Sequence, residues 1–145
     1  MTEADGTPTI PPKPVLTHYA IRVQNLDRTI AFYEKYTPLK ATNRRDDKST
    51  GAAVVWLRQE TPHFTIVAIQ PEKFQGPDFH GEGLEHLGFE LTSRAEVDDI
   101  ARRLKADGFD VFLGPLYYDR IVGYICMVRD PDGRIIEYSA EQVME

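Results

Sequence analysis

Two stretches of this chain align with each other without a gap: HYAIRVQNLDRTIAFYEKY, beginning at His18, and HLGFELTSRAEVDDIARRL, beginning at His86. A repeat of this kind limits the fold more tightly than composition does, because both copies must build the same local structure and bury the same face. Alternate positions are apolar or aromatic at the start of each copy, Tyr19, Ile21 and Val23 in one and Leu87, Phe89 and Leu91 in the other. That is the period of a strand. Asn25 and Ser93 then stand where a helix N-cap belongs. After them Thr29, Phe32, Tyr33 and Tyr36 recur at helical spacing, as do Val97, Ile100, Ala101 and Leu104.

Three strand-like runs follow each predicted helix: LKATNRR, GAAVVWLRQ and HFTIVAIQ in the first copy, FDVFLG, IVGYICMVR and RIIEYSA in the second. The expected class is therefore α+β, built from two tandem βαβββ modules at about residues 15–71 and 84–140. The stretch PEKFQGPDFHGEG between them has the composition of a loop. Set side by side, or exchanged between two chains, two such modules make one curved, cup-like mixed sheet with helices outside. The first fourteen residues hold four of the ten prolines and no periodic pattern. They read as a flexible tail, which leaves 15–145 as a single domain.

Alternation sorts the faces. With the odd positions of the opening strands under the helices, His18, Ala20 and Arg22 line the cup in one module, and His86, Gly88 and Glu90 in the other. The last strand follows a turn, DPDG, in which Pro presets φ and Gly accepts φ > 0. It carries one carboxylate, Glu137, in an otherwise apolar run, and the repeat pairs that position with Val67. Two histidines and a carboxylate converging on one face, with coordination positions left open, are the donor set of a divalent metal such as Fe(II) or Mn(II), and Zn, Ni or Co also suit it. Singly, each residue has a plainer reading, a hydrogen-bonded strand histidine or a solvated glutamate. The equivalent placement of the histidines in both copies is what favours the metal. Arg22 and Glu90, also equivalent, suggest an ion pair across the sheet or a substrate contact. Tyr117 and Tyr118 are expected in a loop, either covering the mouth of the cup or simply packed. His63 and His80 are expected to be exposed.

The chain carries a net charge of −6, and its seventeen basic residues form no stripe, so neither nucleic acid nor an anionic membrane is an expected partner. No apolar run approaches a membrane span, and the N-terminus lacks a signal pattern, so a cytoplasmic location is expected. The single cysteine, Cys126, has no partner for a disulfide or a thiolate zinc site and reads as a small buried hydrophobe.

The segments THYAIRVQNLDRTIAFY, EHLGFELTS and RDPDGRIIEYS resemble those of the vicinal oxygen chelate superfamily, over residues 15–140. That superfamily includes glyoxalase I, extradiol dioxygenases, methylmalonyl-CoA epimerase, fosfomycin-modifying enzymes and bleomycin-resistance proteins. The resemblance implies metal ligands at His18, His86 and Glu137, and a homodimer in which modules are often exchanged. It also implies a small-molecule substrate with vicinal or bidentate oxygens. Glyoxalase I and the epimerases carry a fourth ligand where Val67 stands here. The fosfomycin enzymes have a threonine where Ala20 stands. Extradiol dioxygenases have a tyrosine at Met127 and a histidine near Tyr118. The expected function is a metal-dependent, dioxygenase-like enzyme, with Arg22 and Tyr118 contacting substrate. A glyoxalase-like lyase or isomerase and a non-catalytic small-molecule binder are the alternatives.

Overall fold

A computed structural model describes residues 16–75 and 85–143, so the proline-rich N-terminus and His80 fall outside the described residues. Each repeat copy opens as a strand and turns into a helix: β1 (His18–Arg22) into α1 (Leu26–Tyr36), and β5 (His86–Glu90) into α2 (Arg94–Ala106). The predicted caps start both helices. The Asn25 side chain accepts a hydrogen bond from the backbone N–H of Arg28 at 3.0 Å, and Ser93 Oγ accepts from Glu96 N–H at 3.2 Å. Glu96 reaches back to accept from Thr92 N–H at 2.8 Å, which satisfies a further donor at that helix end.

The remaining strands are β2 (Lys40–Asp47), β3 (Ala52–Gln59) and β4 (Phe64–Gln70) in the first module, and β6 (Val111–Asp119), β7 (Gly123–Arg129) and β8 (Ile135–Ala140) in the second. They form two sheets of four, ordered β1-β4-β3-β2 and β5-β8-β7-β6. Within each sheet the opening strand pairs in parallel with the closing one, and the other pairs are antiparallel. Two βαβββ modules are therefore present as expected. Within one chain they are separate sheets, and β1 and β5 are each an edge.

Every helix position named from its periodicity is buried: Thr29, Phe32, Tyr33 and Tyr36 in α1, Val97, Ile100, Ala101 and Leu104 in α2. These side chains pack on Ile21, Val23, Val55, Leu57, Ile66 and Ala68 in one module and on Cys126, Val128, Ile136, Tyr138 and Ala140 in the other, forming a single core. Cys126 is fully buried, and burial pushes its thiol up to about 12, which leaves it an inert hydrophobe. Tyr19 departs from the pattern. It lies on the helix side of β1 yet is 41% exposed, because among the described residues no strand flanks that edge.

The modules are joined back to back through α1. Phe32 meets Phe109, just beyond α2, edge to face with centroids 5.0 Å apart, and Tyr36 meets the same ring at 5.8 Å. A buried polar cluster lies beside these rings. The Tyr33 hydroxyl donates to Asp130 Oδ2 at 2.7 Å, while Asp130 Oδ1 accepts from the N–H groups of Asp132 and Arg134, both at 2.9 Å. This is the DPDG turn, with Gly133 at φ +92°. The Arg134 guanidinium lies 3.5 Å from both Asp130 and Asp132 and donates to the carbonyl of Arg22. Burial and the neighbouring Asp130 carboxylate hold the Tyr33 phenol well above its ordinary pKa, so it stays a donor at neutral pH.

Replacing Tyr33 with Phe removes a buried hydrogen bond to a charged group and should cost about 1.5–3 kcal/mol of unfolding free energy. Denaturant titration of Tyr33→Phe checks this, and an unchanged midpoint would show that the turn does not hold the modules together.

Candidate metal centre

The helices cover one side of each sheet, and the strand register identifies what faces the other way. In the first module, His18 pairs with Thr65, Ala20 with Val67, and Val67 with Trp56. In the second, His86 pairs with Ile135, Gly88 with Glu137, and Glu137 with Met127. Val67 and Glu137 thus occupy equivalent places, as the repeat indicates, and each lies on the face that carries its module's histidine.

Glu137 is only 5% exposed, and among the described residues no donor makes a hydrogen bond to its carboxylate. Its polar neighbour is His86, whose Nε2 lies 3.5 Å from Glu137 Oε2. A Cβ placed on Gly88 would sit 3.6 Å from the same oxygen, so the glycine leaves room above the carboxylate. The other ring nitrogen of His86, Nδ1, is engaged by the Glu85 carboxylate. His86 Nε2 and the Glu137 oxygen thus face one another, an arrangement suited to a cation between them.

His18 has the same local design. Its Nδ1 lies 2.8 Å from Thr17 Oγ1, and among the described residues Nε2 makes no hydrogen bond. In both copies the residue just before the histidine holds the ring through Nδ1, the kind of contact that fixes tautomer and orientation in metal-bound imidazoles. Thr17 and Glu85 were not singled out from the sequence, although their shared position in the repeat was visible there.

His18 is exposed and belongs to the other sheet. Among the described residues, no three His, Cys, Asp or Glu side chains of one chain are gathered closely enough to hold an ion. The donor set therefore fits a metal in chemistry, with two donors together and the third displaced.

Two expectations need correction. Arg22 and Glu90 form no ion pair among the described residues, because they lie on the edge strands of different sheets. Tyr117 and Tyr118 are in β6, not in a loop: the strand continues to Asp119, and Tyr117 pairs with Tyr124. Tyr117 lies under the Arg94 guanidinium on the helix side, 5.2 Å from it, so Tyr118 falls on the open face and is 60% exposed. His63 is exposed, as expected, in the turn before β4.

Comparison with known proteins agrees with this architecture. Residues 15–138 match the model of the Glyoxalase/Bleomycin resistance protein/Dioxygenase superfamily. The chain belongs to that family. It is 39% identical over 134 residues to the uncharacterized protein PA2024 of Pseudomonas aeruginosa, covering 89% of this chain and 90% of that one. Among solved structures it resembles glyoxalase I from Zea mays, with a TM-score of 0.73 at 23% identity, over 88% of this chain and 45% of the maize chain, so it spans about half of that protein's length. It also resembles the fosfomycin resistance protein FosX from Listeria monocytogenes, complexed with Mn(II) and sulfate, with a TM-score of 0.68 at 20% identity over 91% and 96% of the two chains. No helix among the described residues is long and apolar enough to cross a membrane.

Proposed function

We propose that this protein is a divalent-metal-dependent enzyme acting on a small molecule with vicinal or bidentate oxygens, and that its ligands are His18, His86 and Glu137. The observation that carries the reading is the buried Glu137 carboxylate, free of hydrogen bonds among the described residues and facing His86 Nε2 at 3.5 Å. A carboxylate this little exposed, with an imidazole nitrogen beside it, is stabilised by a cation. Because His18 lies on a different sheet, the third ligand comes from His18 of the partner subunit in a homodimer that brings the first module of one chain against the second module of the other. Two-fold pairing of this kind is the commonest assembly, and it gives the edge strands β1 and β5 a neighbour.

Two imidazoles and one carboxylate suit Fe(II) or Mn(II). Such an ion supplies Lewis acidity and open positions for a chelating substrate. The chain's own residues do the rest. Thr17 and Glu85 hold the imidazoles in orientation, and Gly88 keeps the space above Glu137 clear. Arg22 stands two residues beyond Ala20 on the open face of β1 and draws in negative charge. Tyr118 presents a phenol from the other module. With Val67 in place of a second carboxylate, the site lacks a built-in base. This favours dioxygenase-like chemistry, for which a bound ion would supply the coordination sites and the chain need supply no carboxylate base. A glyoxalase-like lyase or isomerase is the second reading, favoured by the likeness to glyoxalase I and by a 28% identity to the lactoylglutathione lyase GLX1 of Arabidopsis thaliana.

Protein purified without oxygen should contain about one divalent ion per chain, and His86→Ala should lose most of it while remaining folded. Elemental analysis measures this. Full occupancy in His86→Ala would remove His86 from the ligand set. Oxygen uptake with a panel of phenols and α-oxo acids then separates the two reactions: uptake supports a dioxygenase, and turnover of α-oxo hemithioacetals without uptake supports the lyase.

The shared site is tested by pairing two defective chains. His18→Ala and Glu137→Ala, co-expressed and purified through two different tags, should form a heterodimer holding about one ion, because one of its two sites is intact. A metal-free heterodimer would place all three ligands within one chain.

A further inference from the structure

The open face of the first module contains a cavity of about 360 Å³ that the metal ligands do not account for. His18 is one of its lining residues. The rest includes Trp56, His63, Thr65, Val67 and two arginines, Arg45 and Arg58, and among the described residues no carboxylate lines it. In a chain of net charge −6, a cavity with two guanidinium groups and no acid in its wall runs against the overall charge.

Neither arginine is fully satisfied. Arg45 forms no ion pair among the described residues. Arg58 Nε is buried without a hydrogen-bond partner, and the Glu60 carboxylate, 3.3 Å away and mostly exposed, is not aligned to accept from it. Between them in the wall stands Trp56, a large apolar side chain left 40% exposed. Register explains the grouping: Trp56 pairs with Val67 and Arg58 with Thr65, so alternation puts both on the face that carries His18. A fork of guanidinium donors beside an indole face recognises an oxyanion attached to a flat apolar body. The volume lies at the small end of ligand sites, which suits a molecule of about one ring.

We propose that this cavity is a substrate subsite in which Arg45 and Arg58 hold a carboxylate or phosphonate-type oxyanion and Trp56 stacks on the ring that bears it. That the opposite end of the ligand reaches His18 and the metal rests on the proposed function. The oxyanion subsite does not, because all of its residues belong to the first module.

Trp56 is the chain's single tryptophan, so its fluorescence reports on this cavity alone. Full-length protein is titrated with benzoate and with phenylphosphonate, and with benzamide and benzyl alcohol as neutral counterparts, each with and without EDTA. The expected result is saturable quenching by the oxyanions, unaffected by EDTA, with the tighter of the two identifying the preferred anion. Neutral counterparts should bind at least tenfold more weakly, and Arg45→Gln and Arg58→Gln should each weaken oxyanion binding by roughly tenfold. Arg45 is exposed, so Arg45→Gln serves even if Arg58→Gln fails to fold. Equal binding of neutral and anionic probes, unchanged affinity in Arg45→Gln, or loss of quenching in EDTA would each overturn the proposal. Quenching that behaves as expected in a protein that takes up no metal would leave this subsite standing and remove the enzymatic reading.

Discussion

The packing of α1 against the end of α2 determines what the rest of the molecule can do. Phe32, Tyr36 and Phe109 form an aromatic contact between the modules, and Tyr33 extends it to the turn at Asp130. Burying each such ring is worth about 1.5–3 kcal/mol, so the helical sides are committed to each other. What remains outward is the open face of each sheet, with β1 and β5 among the edge strands. The histidines, the carboxylate and the arginines all lie on those faces. The back-to-back arrangement that makes the chain stable also separates His18 from His86 and Glu137.

Much of this was legible in the sequence because repetition and periodicity are local. The period-two and helical patterns located both strand–helix units, the caps at Asn25 and Ser93, and the side of the sheet on which each histidine lies. The equivalence of Val67 and Glu137 came from the repeat of the closing strands and appears in the register. Other features depend on distant contacts. Whether two sheets merge or stay apart is decided by how α1 packs, which no local pattern encodes, and so the Arg22–Glu90 pair was expected and is absent among the described residues. Tyr117 and Tyr118 were expected in a loop, whereas β6 runs through them with irregular pairing to β7. Arg45, Trp56 and Arg58 lay inside predicted strands, but their joint cavity emerges only when β2, β3 and β4 are placed in register.

The modules share a plan and differ in chemistry. Both hold an imidazole through Nδ1 by the residue before it and keep a small residue two positions on, Ala20 or Gly88. Beyond that, one open face offers a buried carboxylate, and the other offers an indole and two guanidiniums. Placed against each other, they combine a cation-binding half with an anion-binding half. A chelating, negatively charged small molecule is the ligand that such a pair of faces would suit.

An ion shared between two chains can be located directly. Crystals of the protein loaded with Mn(II), measured for anomalous scattering, should show one strong peak per chain bonded to His86 Nε2, the Glu137 carboxylate and His18 of the partner subunit. A peak whose protein ligands all come from a single chain, or one centred on other side chains such as His63, would contradict the shared site.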